Sequence, residues 1–252
     1  MTAAIRAELG KLTTTRLPLG LLGIAALLTA VISLLTALQA GSGAAMADTS
    51  LSTAAGQAGV LATTYFAMIM AMVLGITMTT GEFRHATATA TYLAIPRRQR
   101  VLTAKAITAF GSGLLFGLTG AVITTAAGLG TAAARGYPVV LGAGSIVRYG
   151  AGAVLGAGLL ASLGAGLGML IRSQLGAIIT VFVWAFAAEN TLGGLSNAIA
   201  PYLPFMAATS LAGSPPPGGH PLSFLAAALL VAGITAVTCA IAARTSLRAD
   251  VT

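Results

Sequence analysis

Apolar residues run along this chain in long blocks, separated by short polar or basic stretches. A backbone crosses about 30 Å of hydrocarbon only as a helix of about 20 apolar residues, because every N–H and C=O must be satisfied within the segment. Six blocks meet that requirement, and we expect spans at 17–38, 59–80, 106–133, 149–171, 175–189 and 222–243. A seventh could be drawn over 192–211, but Pro201 and Pro204 interrupt it, and it would move Arg244 and Arg248 to the opposite face. Six spans are therefore preferred. The expected fold is all-α, one six-helix transmembrane domain over 1–252.

Ahead of the first span, Ile5, Leu9 and Leu12 fall at i, i+4 and i+7, while Arg6, Glu8 and Lys11 lie on other faces. That spacing predicts a helix over 1–16 lying in the headgroup layer. Ala45-Met46-Ala47 looks like a small-residue cleavage site of a secretory signal. The apolar stretch before it is about twenty residues, longer than the usual core of about 7 to 15, so the first span is expected to stay as an anchor.

Composition sharpens this picture. Hydrophobic residues make up 57% of the chain and charged ones 7%, against roughly 25% charged in a soluble domain. Too few charges remain to coat a soluble core, and lipid must supply much of the solvent. The net charge of +8 does not point to nucleic acid, because the basic residues sit at the ends of apolar blocks rather than on one water-exposed face.

Counted by alternate loops, one side collects Arg6, Lys11, Arg16, Arg84, Arg97, Arg98, Arg100, Lys105, Arg172, Arg244 and Arg248, and the other only Arg135 and Arg148. Lys and Arg near span ends stay in the cytoplasm, so both termini and the loop after the second span are expected there, in a multi-pass plasma-membrane protein. Arg in preference to Lys, with abundant Ala and Gly, suggests a GC-rich bacterial genome. The single cysteine, Cys239, lies inside an apolar block, can form no internal disulfide, and reads as a small packed hydrophobe.

Gly113 and Gly117, Gly152 and Gly156, and Gly164 and Gly168 are spaced as GxxxG. Such pairs let helix backbones approach closely, so the third and fourth spans are expected inside the bundle. No inverted duplication of the kind found in secondary transporters is visible.

The loop after the second span carries the most information. On a helical wheel Phe83, Ala86, Ala90, Leu93 and Ala94 share one side, while Arg84, His85 and Thr91 point elsewhere. This predicts a short surface helix over 81–95, stopped by Pro96. By physics alone it is equally well a basic loop that fixes topology. Glu82, Phe83, Arg84, His85 and Thr87, followed by Leu93, Ala94, Pro96, Arg97, Arg98, Arg100 and Lys105, resemble a motif of the permease subunits of type-2 ABC exporters. Ala86 stands where glycine is expected in many relatives. The general plan is similar too: an N-terminal interfacial helix, six spans, and a proline-marked outer segment between the last two.

The resemblance implies that the loop is a coupling helix seated in a cleft of a separate ATP-binding subunit. Glu82, Phe83, Arg84, His85 and Thr87 would then face that subunit, with Phe83 as an apolar anchor and Glu82 and Arg84 as charged contacts. Arg97, Arg98, Arg100 and Lys105 are assigned to lipid headgroups and topology. ATP and Mg would be bound by the partner, since the chain contains no G-x-x-x-x-G-K-[ST] loop and its Gly-rich runs lie within spans. No cofactor, metal or catalytic set is expected: His85 and His220 lie in loops on opposite faces, and no HExxH or nucleophile motif is present. A second permease chain, identical or closely related, is the other expected partner.

Between Thr191 and Pro221 the chain is apolar up to about Leu211 but broken by Pro201 and Pro204, which fits re-entrant helices over 191–213 better than an open loop. Ser214 to Pro221 reads as a stiff exposed turn. Glu189 has two readings: a pathway acid, or a marker of the water boundary with Asn190 capping the next helix. A secondary carrier, a channel and a membrane scaffold remain the competing functions. The transported compound is not legible, though walls of Ala, Leu, Gly, Phe and Met would suit an amphipathic or hydrophobic molecule.

Overall fold

The computed structural model describes residues 2–41, 50–84, 98–214, 216 and 221–248, with the side chains of 98 and 246–248 left out. Among them the regular structure is helical, and six helices are long and apolar enough to cross a membrane. Helix α1 (Thr2–Thr14) precedes α2 (Leu17–Gln39), which is the first span. Pro18 sits in the first turn of α2, where a missing N–H costs nothing.

The second span, Ala54–Arg84, is longer than the expected 59–80 and is broken in the middle. Helix α3 (Ala54–Ala62) is capped by Thr53, whose hydroxyl accepts from Gly56 N at 3.1 Å. It gives way at Thr63 and Thr64, and α4 (Tyr65–Arg84) follows. Both threonine hydroxyls donate back to carbonyls three residues earlier, Val60 at 2.6 Å and Leu61 at 2.7 Å, drawing those acceptors out of the regular ladder.

The third span, α5 (Arg98–Ala134), starts eight residues before the expected 106, because the added turns bury Val101, Leu102, Ala104 and the paired Lys105 against the protein while Gln99 and Arg100, good helix formers, stay exposed. The fourth, α6 (Ala143–Ile171), also starts early. It ends at Arg172, the one non-glycine residue with positive φ (57°) among those described.

The fifth span continues past its expected end at Glu189. Helix α7 (Gln174–Phe182) passes into a π-helical turn, Val183–Ala188, and then α8 (Glu189–Leu195). A short 3-10 turn (Ala200–Tyr202) leads to α9 (Pro204–Leu211). The region 192–211 is thus two helices with a turn between them rather than a seventh crossing. The sixth span is α10 (Phe224–Arg248).

Helix α6 is the centre of the bundle, packed against α4, α5, α9 and α10. The second and fourth spans have 72% and 67% of their apolar windows buried, the third only 39%. The interior pair is therefore the second and fourth spans, not the third and fourth. The reason lies in glycines that pair across helices. A methyl on Gly75 would overlap the Ala161 carbonyl, and one on Gly164 would overlap that of Met72. Gly75 has no GxxxG partner, so spacing within one helix did not mark it. Gly113 and Gly117 do meet α6, at Ala157 and at Ala153 and Val154. Gly152 presses on the Leu211 carbonyl and seats α9 against the core.

Two polar locks tie the connections together. Gln57 is fully buried and its amide is saturated: Nε2 donates to Leu51 O (3.0 Å) and Pro138 O (2.8 Å), and Oε1 accepts from Val140 N (3.0 Å) and Leu141 N (3.1 Å). Arg135 donates to the carbonyls of Leu38 and Ala40, closing the end of the first span.

Candidate functional site

At the end of the bundle where the second span finishes, four charged side chains converge. Lys105 is fully buried and its three N–H groups are all taken, by Glu8 Oε2 at 2.9 Å, Glu82 Oε1 at 2.9 Å and Met78 O at 3.1 Å. Lys11 bridges the same two carboxylates, reaching Glu8 Oε1 at 2.7 Å and Glu82 Oε1 at 2.6 Å. Among the described residues two ammonium groups thus meet two carboxylates. Burial works against the Lys11 charge, but the hydrogen bonds and charges of Glu8 and Glu82 outweigh it and raise its pKa above the usual lysine value.

This cluster changes several sequence expectations. Lys105 was assigned to headgroups, yet its ammonium has no exposed surface and is spent inside the protein. Glu82 was assigned to the ATPase contact, yet it is 8% exposed and holds Lys105. In α1 the buried residue is Glu8, while Leu9 is 46% exposed, so α1 turns its acid toward the bundle and Leu9 outward. The hydrophobic pattern misled here because a carboxylate can be buried, at a cost, once ammonium partners meet it, and those partners are not visible in the spacing of α1.

The remaining loop residues divide. Phe83 packs against Leu102, Met169 and Ala242, and the Arg172 guanidinium lies 5.7 Å from its ring centroid, so the expected anchor is partly occupied within the chain. Arg84 is exposed and donates to Gln174 Oε1 at 3.3 Å. Arg100 is exposed on the first turn of α5. His85, Thr87, Arg97 and most of the expected 81–95 helix lie outside the described residues, as do the Arg98 side chain, His220 and Ala45 to Ala47. A cavity of about 570 Å³ adjoins the cluster, walled by Leu12, Leu17, Pro18, Leu74 and Met78.

A second centre surrounds Glu189, which is 1% exposed inside the fifth span rather than at its end. Its carboxylate accepts from Trp184 Nε1 (2.7 Å) and Phe205 N (3.0 Å) on one oxygen, and from Met206 N (3.0 Å) on the other. It thereby caps α9, whose first-turn N–H groups have no partner within their own helix. Asn190 does not cap the next helix; its amide donates to Ala185 O and Phe186 O in the π-helical turn. Pro201 and Pro204 hinted at a break here, but nothing in the spacing of residues 189 and 205 announced that the acid would close it.

A cavity of about 480 Å³ opens beside Glu189, between the first, second and fifth spans and α9. Tyr65 stands in its wall with Phe66, Phe186 and Phe205 edge-to-face around it, at centroid distances of 5.9, 5.9 and 6.0 Å. The Tyr65 hydroxyl donates to Ala185 O at 3.3 Å. Among the described residues no three His, Cys, Asp or Glu side chains come together as a metal site would need.

No protein-family model matches this sequence. No curated protein matches it with significance either.

Proposed function

We propose that this chain is the transmembrane permease subunit of an ATP-driven exporter of the type-2 ABC class. The observation that carries the reading is the Lys105–Glu82 ion pair. These residues flank positions 85–97, on the last turn of α4 and early in α5, and Glu8 and Lys11 add α1 to the same knot. A push delivered to that segment would move three helices as one body, which is what an external motor requires of the element it acts on.

On this reading the loop is the coupling helix, with Arg84, His85 and Thr87 toward the ATP-binding subunit. Arg97, Arg98 and Arg100 lie among headgroups of the inner leaflet, and both termini are cytoplasmic. Helix α1 runs along the membrane surface, α9 dips into the outer leaflet, and two permease chains face two ATPase chains. ATP and Mg belong to the partner.

The test is co-purification with a separate ATP-binding subunit, sought first in the neighbouring reading frames. His85→Asp combined with Thr87→Asp should abolish ATPase stimulation by the permease while insertion and thermal stability stay unchanged. Normal stimulation in that variant would overturn the coupling assignment. Glu82→Arg is unsuitable as a probe, because it breaks the buried cluster.

A secondary carrier is the second reading, favoured by the burial of Glu189 within a span. Substrate accumulation by the purified chain under an ion gradient, with no ATPase present, would select it.

A further inference from the structure

We propose that the cavity beside Tyr65 and Glu189 binds a lipophilic monovalent organic cation. Three independent features converge on it. The first is charge. Of the acidic residues described, Glu8 and Glu82 are ion-paired, whereas Glu189 has no Lys or Arg within 4.0 Å among the described residues. Its three N–H donors spread the charge without cancelling it. In a low-dielectric wall that field reaches into the neighbouring space.

The second feature is the aromatic wall. Tyr65, Phe66, Phe186 and Phe205 all line the cavity, and edge-to-face packing leaves ring faces turned in several directions. Ring faces attract a cation that has shed its water, and they do so best when the cation carries its charge diffusely. The third is backbone. The π-helical turn Val183–Ala188 inserts extra backbone just before Glu189 and leaves the Ala185 carbonyl to be met by Tyr65 and Asn190. Such single π-turns within α-helices are frequent at functional sites.

Other ligand classes fit worse. A hard metal ion needs six or more oxygens, and here one carboxylate is already engaged by donors. An anion would meet the field of Glu189. The cavity volume of about 480 Å³ is within the usual range for small-molecule pockets. As a statement about cargo the inference rests on the exporter reading; as a statement about binding it does not.

The experiment uses the full chain in phosphatidylcholine nanodiscs without the ATPase. Trp184 is the single tryptophan of the chain, and it donates to Glu189 Oε1, so its emission reports on the site. Tetraphenylphosphonium should change that emission saturably beyond its effect on empty discs, and bind at least about tenfold more tightly than the same-shaped anion tetraphenylborate. Glu189→Gln should weaken the cation by about tenfold and erase the preference. Because that change also touches the α9 cap, Phe66→Leu and Phe186→Leu serve as second variants; each should weaken the cation by about threefold and leave the anion unaffected. Equal binding of the two ions, or unchanged cation affinity in both ring variants, overturns the proposal. Binding without ATP-driven transport would count against the exporter reading alone.

Discussion

The Lys105 ammonium lies 2.9 Å from the Glu82 carboxylate although 23 positions separate them in the chain. The pair joins the last turn of α4 to the beginning of α5, and the same ammonium also holds Glu8 of α1. A buried ion pair of this kind is a poor source of net stability, since desolvation offsets most of the attraction. Its value is that it admits one arrangement of three helices, because either partner left alone is severely penalised.

Lys105→Met should therefore destabilise the protein by about 3–5 kcal/mol, by removing the fully buried ammonium that Glu8 and Glu82 share. Adding Glu8→Leu and Glu82→Leu to it should restore most of the loss. Chemical or thermal unfolding in detergent, followed by far-UV circular dichroism, measures both. A single variant as stable as the parent would show that the cluster is not formed.

The pH dependence has a definite sign. Lys11 has a raised pKa in the folded state, so its contribution is complete below the unfolded lysine value and is lost as pH rises through the higher folded value. Unfolding midpoints should show no Lys11-dependent change from neutrality to about pH 9, the range in which lysine stays protonated in both states. Lys11→Met should remove the part of the alkaline decline that is specific to this group.

Gly75 and Gly164 face each other's helices at carbonyl contact. Gly75→Val should cost about 1–3 kcal/mol or more, because rigid backbone on the far side cannot yield. Gly130→Val, at an open position on α5, controls for loss or gain of helix propensity. Comparable effects at the two sites would refute the close approach of α4 and α6.

Gln57→Leu strands the N–H groups of Val140 and Leu141 and the carbonyls of Leu51 and Pro138. The Leu51 carbonyl and the Leu141 N–H lie in buried hydrogen bonds, and each left unsatisfied costs about 1–3 kcal/mol, whereas the exposed Pro138 and Val140 can turn to water. The 138–141 segment should become open to proteolysis and to fast amide hydrogen exchange, while exchange in α6 stays slow.

Orientation is tested by cysteine labelling in a Cys239→Ser background. A membrane-impermeant maleimide added to intact cells should reach Arg148→Cys and not Arg100→Cys. Labelling of Arg100→Cys from outside would reverse the assignment.

The six helices long and apolar enough to cross a membrane were legible in the sequence because each is a local property. Hydrocarbon demands a continuous run of apolar residues that satisfies its own backbone, and such a run can be counted without knowing its neighbours. The proline interruption after the fifth span was legible for the same reason. Helix ends were less so: α5 runs eight residues further back than its apolar block, because those turns are held by tertiary burial of Val101, Leu102 and Lys105, which an apolar count does not register.

What only the tertiary structure decided was which polar groups meet. Glu8, Glu82 and Lys105 each look like a surface charge when read singly, and Glu189 like either a pathway acid or the marker of a boundary. A buried charge is tolerable only when its partner arrives from another part of the chain, from Lys105 for Glu8 and from the N–H groups of Phe205 and Met206 for Glu189. Gly75 was invisible for a similar reason, because the backbone it makes room for belongs to α6. Hydrophobicity along one segment sets what enters the membrane; complementarity between distant segments sets where the charges and glycines go, and that information is held by no single stretch of residues.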